Sequence, residues 1–435
     1  MINPEINNEP ESRDMEPENT SRNRRFSLRN IKTFESFKVP AYRILFLSHI
    51  GQWSAMSMQM MVRSLLVYRL TGSGTMIGMM ALVQVVPQLL MSLFAGALAD
   101  RVQKRSILIV AQLVPGVITF CLAVSLASGY LNADDPSSWW VLFMTAIGQG
   151  TVMGMMMPVR IAIIPEIVGE ERVMNAVSLT TVGQTAFMLA GPTLAGFLIN
   201  NYDFSVVYFV MTGTYALSAF FTFLLPRTRK ISPKGESNTF KEVIEGFRYV
   251  RKETVFLLIV IFGMCHMISG MPYMQLTAVF TEDVLQVGEI GLGVLMTVSG
   301  VGAAISSLII ASLPNRKRGI LLLFSGIVMS VPLIVFSFSS WYGLSLAMMP
   351  FIGMGPVMHG ALTGALIQNY ADPGYRGRVQ SLTAIGASVA SFGTFIAGIL
   401  VDAVGVQWAV GSMAIFLSAV SIGFYIFFPS LRKLE

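Results

Sequence analysis

Gln52, Met56, Gln59 and Arg63 recur at intervals of four, three and four residues, and Gln149, Met153, Met156 and Arg160 repeat the same spacing. On a helix that spacing puts each quartet on one face. Amides supply hydrogen-bond donors and acceptors, and thioethers a polarisable, adaptable wall, a combination suited to holding a small organic molecule. Gln52, Met56, Gln59, Gln149 and Met153 are therefore candidate cavity residues. The chain's three histidines, His49, His266 and His359, are the other groups able to do chemistry inside apolar sequence. An imidazole of ordinary pKa, ~6.5, carries protons near neutral pH, and His266, central in its apolar run, is the candidate for proton coupling. Met267 and Met271 lie beside His266, and Met354 and Met358 beside His359. Met267, Met271 and His359 join the cavity candidates. The same thioether and imidazole groups would suit Cu(I), so a soft-metal cargo is an alternative.

The elements that must carry these residues are membrane-spanning. The 435-residue chain is 54% hydrophobic and only 12% charged. A spanning helix needs about 20 apolar residues, and such runs begin near Ile44, Thr75, Ser106, Trp139, Asn175, Val206, Val255, Glu289, Gly319, Trp341, Arg378 and Gln407. Twelve spans are expected. Of 30 Lys and Arg, all but Arg63 and Arg69 fall at the chain ends or in every second gap. Positive gaps are retained in the cytoplasm, so both termini are predicted to be cytoplasmic, in the inner or plasma membrane. Arg63, about 28 Å along its helix from Ile44, is expected to snorkel to the far interface, and Arg160 to pair with Glu166 near the basic end.

Residues 1–43 begin acidic and rich in Asn and Pro, with no apolar h-region, and read as a disordered tail whose second half is basic. Residues 226–254 divide the spans into bundles at 44–225 and 255–428, leaving a short tail at 429–435. Within that linker Thr239 and Glu242 form a capping box ahead of Phe240, Val243, Ile244, Phe247 and Val250, predicting an amphipathic surface helix. Two weak echoes, Phe94–Arg101 with Ile310–Arg316 and Val177–Thr180 with Gln380–Thr383, occupy equivalent places in the halves. They suggest a parallel repeat around a midplane site. Cys121 and Cys265 form no ligand framework and are expected to be core packing.

Residues 40–430 resemble the major facilitator superfamily. Gly96-Ala-Leu-Ala-Asp100-Arg101-Val-Gln-Lys104-Arg105 is similar to that family's signature loop between helices two and three. The resemblance implies a conformational latch in which Gly96 permits close helix approach, Asp100 meets a helix N-terminus, and Arg101 and Arg105 pair with acids. Gly183, with Gly191, Pro192 and Gly196, resembles the family's antiporter motif. Tyr68–Ser73, Pro158–Pro165 and Glu245–Arg251 resemble a bacterial subgroup of enterobactin-type siderophore exporters and macrolide efflux proteins. Two departures stand out: Gln52 sits where the subgroup often has Asp, and Ala146 where the family has an arginine.

The expected fold is thus an all-α integral membrane protein of twelve helices in two pseudo-symmetric six-helix bundles. The expected function is secondary export of a hydrophobic or amphipathic drug- or siderophore-like molecule by proton antiport, with soft-metal or lipid transport as alternatives. Its partners would be the bilayer, a small-molecule substrate and protons, without nucleic acid, and the chain is expected to act as a monomer. No nucleotide-binding loop or catalytic triad pattern appears, so no enzymatic activity, cofactor or resident metal is expected.

Overall fold

A computed structural model describes residues 34–226, 248, 251, 253–313, 316–372 and 376–434; for some helical positions, including 93–101 and 376–385, only the backbone is described. The N-terminal half holds α1 (Pro40–Thr71), α2 (Gly74–Arg101), α3 (Lys104–Ala127), α4 (Trp140–Val168), α5 (Val173–Asn201) and α6 (Phe204–Phe223). The C-terminal half holds α7 (Thr254–Gly270), α8 (Tyr273–Phe280), α9 (Gly288–Ser312), α10 (Arg318–Ser337), α11 (Tyr342–Tyr370), α12 (Arg376–Val404) and α13 (Val406–Phe427), then a final turn, Pro429–Arg432. With α7 and α8 counted as one segment, each half holds six long helical segments among the described residues. The linker's predicted amphipathic helix lies outside the described residues.

Local chemistry sets the boundaries. Pro40 opens α1, where its missing N–H costs nothing, and Gly72 closes it in the left-handed region at φ 61°, its N–H bonded to the Tyr68 carbonyl. The seventh span, expected to be continuous, is broken at Gly270–Pro272. Proline has no N–H to give and its ring crowds the preceding turn, so α8 restarts after Pro272 and runs into a π-helical turn at Thr281–Leu285. Nine segments among the described residues are long and apolar enough to cross a membrane. α1 is not one of them, because His49, Gln52, Gln59 and Arg63 dilute its apolar run.

Helices in lipid gain no hydrophobic advantage from each other and associate by close packing and hydrogen bonds. Gly150 and Gly154 of α4 meet the backbone of α2, where a Cβ would run into the Gln84 and Gln88 carbonyl oxygens. Gly302 of α9 and Gly353 of α11 make the same kind of approach in the second half, against Pro350 and Ser299. The α2–α4 pair is therefore repeated by α9–α11, as the pseudo-symmetry requires. Buried polar groups knit the first bundle. The Ser48 hydroxyl of α1 lies 2.6 Å from the Thr222 hydroxyl of α6 and accepts from Gln112 Nε2 of α3 at 3.0 Å, and Thr222 donates to Gln112 Oε1 at 2.8 Å. Cys121 departs from its expected core position: it is exposed on the outer face of α3.

The two halves meet along α2–α12 and α5–α9. A Cβ on Gly293 of α9 would stand 2.7 Å from the Pro192 carbonyl of α5. Thr297 donates to the Leu189 carbonyl at 2.6 Å, and its hydroxyl lies 2.8 Å from that of Thr193.

Candidate functional site

The α1 and α4 stripes face each other across a cavity of about 600 Å³ in the N-terminal half. Gln52, Met56, Gln59, Gln149 and Met153 all line it, joined by Gln84 of α2 and Tyr215 of α6. Gln84 was not singled out from sequence, although an amide within the apolar run Met76–Leu90 is a legible signal. The Gln52 amide nitrogen donates to the Met156 sulfur, while Gln52 Oε1 and Gln149 Nε2 are buried without partners. Unmet hydrogen-bonding groups in a buried wall are costly unless a bound molecule or water meets them.

Both stripe arginines depart from expectation. Arg63 does not reach an interface; it lines the cavity and donates from Nη1 to Gln84 Oε1. The α1 helix is long enough, running to Thr71, that Arg63 sits two turns inside its end. Arg160 does not pair with Glu166, which is taken by Lys104. It is buried, 7% exposed, with its guanidinium 5.7 Å from the centre of the Trp53 ring. Cation–π attraction replaces the ion pair.

The remaining cavity candidates lie elsewhere. Met267 and His359 line a second space of about 650 Å³ in the C-terminal half, with Met264 and Thr363. Met271 lines a third, about 770 Å³, between the halves, with Met60, Pro192 and Tyr273. Met267, on α7, and Met271, at the cap where α7 ends, thus line different spaces despite their helical spacing. The single cavity expected from sequence is therefore three spaces. Met358 packs in an apolar core, and no group of three or more His, Cys, Asp or Glu able to hold a metal occurs among the described residues. His266 is fully buried and stacks on His359, ring centres 4.3 Å apart and planes inclined by 17°, with both its ring nitrogens unpartnered.

The antiporter-like residues sit at joints. Gly183 is against Trp53 and Phe46, Gly191 against Ser57 of α1, and Pro192 and Gly196 against α9 of the other half. Of the latch, the surroundings of Gly96 and the side chains of Asp100 and Arg101 lie outside what is described. Among the described residues Arg105 meets no acid: it donates to the Phe223 carbonyl and lies 5.1 Å over the Phe223 ring.

The end carrying the acidic gaps is locked. Arg69, one of the two arginines left out of the charge pattern, bridges to Glu282 at 2.8 Å and Glu289 at 2.6 Å across the halves. Tyr68 donates to Asp283 at 2.6 Å. Asp402 accepts from the Ser73 hydroxyl at 2.7 Å and from the Gly74 and Thr75 amides at 2.6 and 3.0 Å, capping the start of α2 from the opposite half. The segment Tyr68–Ser73 served in the sequence only as a subgroup marker; its work is to close this end. Among the described residues, no salt bridge joins the halves at the basic end.

Two bundles joined around polar spaces and locked at one end have the architecture of a membrane transporter, and the sequence profile described as Major Facilitator Superfamily matches residues 45–393. The chain belongs to that superfamily. It is 22% identical over 344 residues to the macrolide efflux protein A of Streptococcus pyogenes, covering 78% of this chain and 83% of the relative. It is 23% identical over 363 residues to the enterobactin exporter EntS of Shigella boydii, covering 79% and 80%. The crystal structure of the nucleoside transporter NupG shares the fold with a TM-score of 0.73 at 12% identity, covering 91% of this chain and 100% of that one. The transporter is thus a multi-pass membrane protein with efflux-type relatives.

Proposed function

We propose that this transporter exports a hydrophobic or amphipathic molecule of drug or siderophore type by alternating access, in exchange for protons. The carrying observation is the one-ended closure: ion pairs and hydrogen bonds seal the acidic end, while polar, methionine-walled spaces lie between and within the bundles. The positive-gap rule puts the basic end and both termini in the cytoplasm, so the described state is closed to the outside. The latch at Gly96, Asp100, Arg101 and Arg105 would close the basic end in the opposite state. Efflux-type relatives support the outward direction. Accumulation of a dye, macrolide and siderophore panel in an efflux-deficient host, with and without an uncoupler, tests direction and driving force together. Higher accumulation in expressing cells than in empty-vector cells would reverse the direction.

Proton exchange is assigned to His266 with its stacked neighbour His359. Among the described residues no Asp or Glu lines any of the three spaces, and the two imidazoles bridge α7 and α11 of the C-terminal half, with His359 on the wall of one space. His266→Gln is expected to abolish substrate accumulation driven by an imposed pH gradient in vesicles, a loss of at least about tenfold, while exchange of labelled substrate persists. Gradient-driven accumulation at the wild-type level in that variant would make the histidine purely structural.

A further inference from the structure

We infer that the cargo is bound through a negatively charged group held by Arg63, so that the transporter selects organic anions and rejects organic cations of the same shape. The inference rests on reading the N-terminal cavity as the cargo site, and it goes beyond that reading by fixing the charge of what enters.

Arg63 is a permanent cation on the wall of a partly open, mainly apolar space that also carries three glutamines among its described lining residues besides Gln84. Its only hydrogen bond among the described residues goes to the neutral Gln84 amide oxygen, leaving most of the five guanidinium N–H donors free. The three salt bridges among the described residues lie elsewhere: Arg69 takes Glu282 and Glu289, and Lys104 takes Glu166. Among the described residues, none that lines the cavity is acidic. A charge withdrawn from water needs a partner, and intramembrane ionisable groups without one mark a ligand path.

Two further observations agree. Arg160 adds a buried positive charge beside Trp53, again with no carboxylate partner among the described residues, so the local field is positive. The unpartnered Gln149 Nε2 and Gln52 Oε1 add one free donor and one free acceptor. A planar carboxylate or acidic phenolate satisfies Arg63, and hydroxyl or amide groups farther along an extended molecule can meet Gln149 and, about 16 Å along α1 from Arg63, Gln52. Met56, Met60 and Met153 then cover an apolar body without demanding one shape. An ammonium of equal size would face the guanidinium with no carboxylate among the described lining residues, and the one aromatic ring among them is that of Tyr215.

The test uses a charge-opposed pair of similar shape, 2-naphthoate and 2-naphthylmethylammonium, with the full-length transporter in nanodiscs and partition into empty discs subtracted. Wild type is expected to bind naphthoate at least about tenfold more tightly than the ammonium probe. Arg63→Gln should weaken naphthoate at least about tenfold and move the ammonium probe by less than about twofold, and Arg63→Lys should recover part of the loss. Equal binding of the two probes by wild type, which needs no variant to fold, overturns the inference, as does an Arg63→Gln protein that keeps the naphthoate preference. Naphthoate binding without any efflux in the host panel leaves anion recognition standing and removes the export reading. Efflux of cationic dyes without naphthoate preference does the reverse.

Discussion

Valine at Gly150 is expected to prevent assembly of the N-terminal bundle. The α4 backbone rests on the Gln84 and Gln88 carbonyls of α2, and a Cβ at Gly150 would overlap the first of them. A carbonyl in a helix cannot swing aside as a flexible side chain does, so the helices must separate. Overpacking of a tight core costs about 1–3 kcal/mol, and a backbone-to-backbone clash lies at or above the top of that range. Separation would also pull Gln84 away from Arg63. Gly213→Val supplies the control, since no atom lies within 4 Å of a Cβ there and the change in helix propensity is the same. The expected result is monodisperse, cooperatively melting protein for Gly213→Val, and aggregated or early-melting protein for Gly150→Val. Matching melting curves for the two variants would show that the α2–α4 contact yields freely.

Charge reversal at Arg69 is expected to open the acidic end. This guanidinium joins α1 to two carboxylates of the opposite half, with side chains 15–33% exposed. At such partial exposure each charge-assisted contact contributes about 1 kcal/mol. Arg69→Glu removes two and adds repulsion, which shifts the balance of states by about 2–3 kcal/mol, or about 30- to 150-fold. A cysteine placed at Ser57, in the space between the halves, reports the change. Its labelling by a membrane-impermeant thiol reagent from the acidic-end side should rise by at least about tenfold in Arg69→Glu. It should fall back when Glu282→Arg and Glu289→Arg restore opposite charges. Labelling within twofold of wild type would mean that the Tyr68–Asp283 and Asp402 contacts hold the end closed by themselves.

The residues that meet in these predictions divide the information in an instructive way. Hydropathy and the alternation of basic and acidic gaps are properties of single segments against a bilayer. For that reason the spanning helices, the six-plus-six division and the superfamily were legible in the chain alone. The 4-3-4 spacing likewise placed Gln52, Met56 and Gln59 on one face and Gln149 and Met153 on another, because helical periodicity is local. What each face meets is not local. Only packing brought the α1 and α4 stripes together around one space and turned Arg63 inward to Gln84. Only packing gave Glu166 to Lys104 and left Arg160 with Trp53. Met267 and Met271 share a helical spacing yet line different spaces, because which neighbours a helix face meets is set by packing. Arg69 is the sharpest case: in the sequence it was a residue left over from a charge pattern. It became the bridge between the halves because its partners, Glu282 and Glu289, lie over two hundred residues away, and only the tertiary fold sets that distance to a hydrogen bond.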